Sequence, residues 1–230
     1  MLNRTPLHTD VFSSFSWSAN IVGKKKWFFI APEESEKLKQ FYKEKIPKRV
    51  SVISKEAGIH IIEVIQNEGE IIFVPSGWMH EVINLEDTIS INHNWFNACN
   101  LNIVWNDLRK ALRETEHELD DIRSLIDPLE FQHECQKVLK ANYGMDYTQF
   151  VDILEKVITR IVSTSVSSGS KFYDYHEMFV ITSLLKESSF LHEMRLVSGL
   201  ESRVNTLHST LTYFSQSKTK DGYTNNNFIK

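Results

Sequence analysis

The chain has 230 residues, 41% apolar and 24% charged, ordinary proportions for a globular protein of one domain or of one domain with a helical appendage. A net charge of −4 without a large basic stretch argues against nucleic acid as the main partner, and no apolar run approaches the ~20 residues that span a bilayer. Cys99 and Cys135 lack metal-like spacing and fit a reducing compartment, and no charged segment followed by an apolar one opens the chain as a secretory signal would.

Residues 5–31 read as β structure. His8 and Asp10 are two apart, so on a strand an imidazole and a carboxylate would emerge on one face. Phe15, Trp17, Ala19 and Ile21 alternate with Ser14, Ser16, Ser18 and Asn20, which predicts a strand with one apolar and one polar face. Val22-Gly23-Lys24 reads as a turn and Trp27 to Ile30 as a buried returning strand. Pro32 opens a charged helix with Leu38 and Phe41-Tyr42 at helical spacing. Residues 45–57 read as an insertion between strands.

Ile59 to Gln66 predicts a strand, Asn67-Glu68-Gly69 a turn, and Glu70 to Val74 the next strand. Pro75-Ser76-Gly77 supplies turn chemistry and sets His80 at the mouth of a further strand, His80 to Asn84. In the last strand, Thr88 to Trp95, the residues Thr88, Ser90, Asn92 and Asn94 share one face and Ile89, Ile91, His93 and Trp95 the other. With a pocket inside, that pattern predicts a wet interior and helices packed outside; a polar solvent face on a half-buried strand would give the same period.

Past about residue 100 the period changes. Leu101, Val104, Trp105, Leu108 and Leu112 predict a helix. Further helices are predicted from about Asp127-Pro128 to Ala141, ending at Asn142-Tyr143-Gly144, and across Phe150 to Ile161. Ser163 to Ser170 has linker composition. Lys171 to Lys186 and Ser189 to Tyr213 predict two more helices, and 216–230 a flexible polar tail. The layout is mainly β plus α: a β-rich part over 1–98, a helical region over 99–215 and the tail.

Two histidines and one carboxylate (His8, Asp10 and His80) are the set with which non-haem Fe(II) oxygenases hold their metal while leaving positions open. A lone histidine is more often a satisfied structural group, and three ordinary surface or capping residues would explain each alone.

The stretches Thr5-Pro6-Leu7-His8-Thr9-Asp10, Ser16-Trp17-Ser18, Gly23-Lys24-Lys25-Lys26-Trp27, Gly69 to His80 and Asn84 to Trp95 together resemble the JmjC oxygenases, a branch of the cupin-like 2-oxoglutarate and Fe(II)-dependent dioxygenases. The resemblance implies a double-stranded β-helix, or jelly roll, whose mouth holds Fe(II) on His8, Asp10 and His80. It implies that Lys25 binds the distal carboxylate of 2-oxoglutarate, with Lys24 and Lys26 facing away by strand alternation. Thr5, Asn92 and Asn94 match polar cosubstrate positions, and Ser18 stands where some relatives carry Asn. The four tryptophans Trp17, Trp27, Trp78 and Trp95 read as core or pocket wall, and His60 and His93 as structural.

The implied reaction consumes molecular oxygen, converts 2-oxoglutarate to succinate and carbon dioxide, and hydroxylates a protein substrate. In the branch resembled most, the target is a lysine side-chain carbon of a eukaryotic translation termination factor. A histone lysine demethylase of the same family is the alternative within the enzyme class, and an inactive interaction module the alternative outside it. The resemblance further implies a homodimer through the C-terminal helices and a cytoplasmic, or else nuclear, protein that binds neither nucleic acid nor membrane directly. In the family the His-x-Asp motif lies well inside the chain, whereas here it begins at His8. The expectation is therefore a core lacking its first strand or strands, a truncated chain of reduced stability or activity on its own.

Overall fold

The computed structural model describes residues 3–43, 45–164 and 171–220. The chain divides into two compact units, residues 1–107 and 108–230.

The first unit is built of strands β1 (Arg4–Thr9), β2 (Phe15–Val22), β3 (Lys25–Ile30), β4 (Ile62–Gln66), β5 (Ile71–Val74), β6 (Met79–Asn84) and β7 (Ile89–Trp95). They form two antiparallel sheets, a four-stranded one in the order β1-β6-β3-β4 and a three-stranded one in the order β5-β2-β7. Alternation sorts each strand between an inner and an outer face. On the inner faces Trp27, Phe29, Val74 and Val82 form a small buried cluster, with Val64, Ile72 and Trp78 packed on it. Gln66, fully buried, ties the sheets together. It accepts from Trp27 Nε1 at 2.8 Å and donates to the Ser18 carbonyl at 2.8 Å. This is the jelly-roll arrangement, with aliphatic and aromatic side chains at one end of the interior and polar ones at the other.

Outside the four-stranded sheet lies a second cluster of Leu7, Ile30, Leu38 and Met79. Helix α1 (Pro32–Tyr42) and the segment after it cover this face. Pro32 occupies the first helical turn, and Lys43 ends the helix at a left-handed φ of 49°. The insertion is ordered by specific bonds. Tyr42 Oη accepts from Ser54 N at 2.8 Å, Leu7 N donates to the Lys48 carbonyl at 3.0 Å, and Val50 N donates to the buried Glu81 carboxylate at 2.6 Å. The third of these matters because Glu81 also faces Arg4, at 3.5 Å. The outer face of the three-stranded sheet is different. Ile71, Phe73, Ile89 and Ile91 are each more than half exposed.

Helix α2 (Leu101–Glu118) contains the border between the units. The second unit continues with α3 (Pro128–Tyr143), α4 (Tyr147–Thr164), α5 (Lys171–Lys186), α6 (Ser188–Arg195) and α7 (Leu200–Lys220). Asp127 caps α3 by accepting from Leu129 N at 2.8 Å. Helices α4, α5 and α6 all pack on α7. The single helix expected from Ser189 to Tyr213 is two, because the chain turns at Gly199 with φ +80°. The tail expected from 216 begins inside α7, and the rest of it, 221–230, lies outside the described residues, as do residues 165–170 of the expected linker. No helix among the described residues is long and apolar enough to cross a membrane.

The β2–β3 turn yields a test. Gly23 has φ +84°, and a Cβ there would stand 2.2 Å from the Asp87 carbonyl oxygen. Gly69 has φ +79° with nothing within 4 Å. Gly23→Ala should therefore cost more than Gly69→Ala, by about 1–3 kcal/mol in denaturant melts. Equal losses would show that the close approach of the two turns does not constrain the fold.

Candidate metal centre

Antiparallel pairing of β1 with β6 sets His8 directly opposite His80. Thr5 and His8 are three apart and would face opposite sides of a regular strand. A register irregularity between them turns both into the same pocket. Asp10 follows β1, in a turn whose next residues Phe12 and Ser13 have left-handed φ values of 58° and 46°. Such backbone costs about 1–3 kcal/mol per residue and persists only where its surroundings hold it. Here the Ser76 hydroxyl donates to the Ser13 carbonyl, and Asn100 Nδ2 donates to Ser76 Oγ at 3.3 Å. Ser76 belongs to the turn before His80, so one hydroxyl joins the turn carrying Asp10 to the turn leading into His80.

The three side chains converge. Asp10 Oδ1 lies 3.7 Å from His8 Nε2 and 3.9 Å from His80 Nε2, and the two imidazole centroids are 4.3 Å apart. The other ring nitrogens are occupied. His8 Nδ1 donates to the Pro6 carbonyl at 2.7 Å and His80 Nδ1 to the Trp78 carbonyl at 3.3 Å. With the proton on Nδ1, each Nε2 is the free ring nitrogen on the side of Asp10, the arrangement in which a histidine ligates a metal. Trp27 lies 5.7 Å from the His80 ring, nearly parallel to it, and forms the wall behind. His8, Asp10 and His80 are the one group of three such residues among those described whose ligand atoms can meet at a common ion.

Charge follows from the same geometry. The facing Asp10 carboxylate raises His8 against the effect of burial, whereas burial and the neighbouring His8 charge lower His80. Burial pushes Asp10 up, but the facing His8, the hydrogen bond from Ser16, the His80 charge and the nearby Asn94 amide together hold it down at about 2. The cluster thus brings one carboxylate and two imidazoles together, the donor set suited to a divalent first-row ion.

Further in, the pocket is polar. It has a volume of about 540 Å³ and is lined by the inner faces of β1, β2, β3, β6 and β7. Lys25 is 6% exposed, and its ammonium donates to Ser90 Oγ at 2.5 Å. Burial lowers its pKa, and among the described residues no carboxylate forms an ion pair with it. Ser18 is buried with its hydroxyl oxygen unpartnered. A buried cation with no counter-charge among the described residues, in one pocket with an unpartnered hydroxyl, fits a small anion. Lys26 points out of the sheet to Glu63 at 2.7 Å, as alternation predicts.

Every site residue expected from the sequence lines this pocket: His8, Asp10, His80, Lys25, Thr5, Ser18, Asn92 and Asn94. Asn94 pairs with Ser16 across the ladder, and its amide donates to Ser14 Oγ at 3.1 Å. His60 and His93 lie outside it. Ser16 and Ser90 are additional. Both sit on the polar rows of β2 and β7, so the alternation places them inside, but the sequence does not single them out from their neighbours.

Residues 1–95 match the sequence profile of the family described as "JmjC domain, hydroxylase". The chain carries a JmjC domain. Beyond it, the chain is 41% identical over 172 residues to the zebrafish (Danio rerio) 2-oxoglutarate and iron-dependent oxygenase JMJD4, covering 71% of this chain and 40% of that one. It is 37% identical over 198 residues to the Drosophila melanogaster JMJD4 homolog, covering 82% of this chain and 45% of the relative. It is 47% identical over 152 residues to the arginine-specific demethylase JMJ20 of Arabidopsis thaliana, covering 64% of this chain and 32% of the relative. The chain thus spans less than half the length of these curated relatives.

The Asp10 carboxylate of the JmjC domain links acidity to stability. Its pKa falls from 3.8 to about 2 on folding. A lowered carboxylate stabilises the fold above its unfolded pKa, and that contribution disappears as pH falls from about 4 towards 2. The metal-free chain should lose roughly 2 kcal/mol over this window on account of Asp10. Asp10→Asn should flatten that part of the profile in urea melts between pH 2 and 5. An unchanged slope would show that Asp10 is not held ionised by its neighbours.

Proposed function

We propose that this chain forms the metal- and cosubstrate-binding part of an Fe(II)- and 2-oxoglutarate-dependent protein hydroxylase. The observation that carries the reading is one pocket in which two histidine Nε2 atoms and a carboxylate oxygen converge at the mouth while a buried, unpaired lysine waits inside. The relatives named 2-oxoglutarate and iron-dependent oxygenases support it.

In this reading His8, Asp10 and His80 hold the metal, and Lys25, with Ser90 fixing its ammonium, binds the distal carboxylate of the keto acid. Thr5, Ser18 and Asn92 line the space between. Once bound, iron and 2-oxoglutarate supply the oxidising power that puts one oxygen atom of O2 into a substrate C–H bond, the other leaving in succinate as carbon dioxide is lost. The residues of the chain bind and orient. The Trp27 ring and the Phe29–Val82 cluster keep water from the inner side of His80, and the backbone carbonyls of Pro6 and Trp78 hold both imidazoles in the ligating tautomer. The target we assign is a lysine side-chain carbon, with a eukaryotic translation termination factor as the protein substrate. The support for this finer assignment is the likeness of the motifs Phe73 to Trp78 and Asp87 to Trp95 to that branch of the family. We place the protein in the cytoplasm.

Demethylation is the second reading, favoured by the identity to a plant relative named an arginine-specific demethylase. It uses the same site. A hydroxyl placed on an N-methyl carbon is lost with that carbon as formaldehyde.

Two measurements test these readings. Anaerobic titration with Mn(II) and 2-oxoglutarate should give stoichiometric binding. His80→Ala should weaken the metal by at least about tenfold, and Lys25→Met should abolish keto-acid binding while the metal is retained. Keto-acid affinity unaffected by Lys25→Met would overturn its role. Mass spectrometry of unmethylated and methylated lysine and arginine peptides then separates the outcomes. Gain of an oxygen marks hydroxylation, and loss of a methylene with release of formaldehyde marks demethylation.

A further inference from the structure

We propose that the Ser16 hydroxyl is the positioning group for Asp10, holding the carboxylate so that only Oδ1 is offered to the metal. This rests on the metal reading above. His8 and His80 are fixed by strand pairing, by carbonyls on their Nδ1 atoms and, for His80, by the Trp27 ring. Asp10 has no strand pairing, since it follows β1 in the turn that opens at Val11. What orients its side chain comes from β2. Ser16 Oγ donates to Asp10 Oδ2 at 2.5 Å, which leaves Oδ1 facing His8 Nε2 at 3.7 Å and His80 Nε2 at 3.9 Å.

The two carboxylate oxygens are thus divided between two tasks. Ser16 is 7% exposed and sits on the inner face of β2, paired on one side with Val74 and on the other with Asn94. Its side chain is largely withdrawn from solvent, and Asn94, its partner on the neighbouring strand, donates to Ser14 Oγ at 3.1 Å. A carboxylate that is able to rotate can chelate an ion through both oxygens and occupy two coordination positions. One pinned through Oδ2 occupies a single position. Ser16 therefore keeps open a position that a bidentate keto acid and oxygen would otherwise lack.

The test uses the full chain, loaded anaerobically with Co(II) alone, and reads affinity and ligand-field absorption rather than turnover. Ser16→Thr and Ser16→Val match in shape and differ in the hydroxyl. Ser16→Ala removes it with least steric change. The expected result is that Ser16→Ala and Ser16→Val bind Co(II) about 10- to 100-fold more weakly, with absorption weakened towards that of a higher coordination number, while Ser16→Thr stays near the parent in both. Thermal midpoints confirm folding, and the Thr/Val pair decides the matter if Ser16→Ala does not fold. Parent-like affinity and spectrum in Ser16→Ala, or equal effects of Thr and Val, would overturn the positioning role. A parent chain that binds no Co(II) would overturn the metal reading itself, and this proposal with it.

Discussion

The pairing of β1 with β6 constrains everything else at the site. It sets one imidazole against another across two strands far apart in sequence, and it does so only because the register slips between Thr5 and His8. A regular ladder would send Thr5 to the outer face among Leu7 and its apolar neighbours. With the slip, a hydroxyl, an imidazole and, just beyond the strand, a carboxylate all enter one interior. The pocket is a consequence of two sheets whose inner faces change from apolar to polar along their length. The apolar end supplies cohesion and the polar end lines the pocket.

The turns complete the arrangement. The strained backbone at Phe12 and Ser13 is matched by the bond from Ser76, and Ser76 is itself held by Asn100 at the entry to α2. The placement of Asp10 relative to His80 thus depends on contacts outside the strands. Glu81 does similar work on the opposite face. It is buried next in sequence to His80, and by accepting from Val50 N it fastens the insertion onto the strand that carries that histidine.

Much of this was legible in the sequence, for identifiable reasons. Period-two alternation in Ser14 to Ile21 and Thr88 to Trp95 gave the strands and the polar interior, and Gly23, Gly69 and Pro75-Ser76-Gly77 marked the turns. The His-x-Asp spacing, with His80 in its turn-strand context, pointed to three side chains that the fold brings together. The hidden features depend on distance or on a single residue of register. Nothing in the sequence distinguishes Ser16 from Ser14 or Ser18, since all three belong to one polar row and only the approach to Asp10 separates them. The slip at Thr5–His8 leaves no compositional trace. The break at Gly199 was masked by apolar spacing that continues on either side, although Ser198-Gly199 is itself a turn signal. The exposure of Ile71, Phe73, Ile89 and Ile91 was also unforeseen, because alternation reports which residues share a face and not how far each is buried.

Lys25 joins the chemistry of the pocket to the endurance of the molecule. An ammonium withdrawn from water with one hydroxyl for company lies higher in free energy than the same group beside an anion. An anion that enters the pocket therefore relieves a cost already present in the empty fold, and the folded population grows with the amount supplied. Filling the pocket would then add to the endurance of the fold itself.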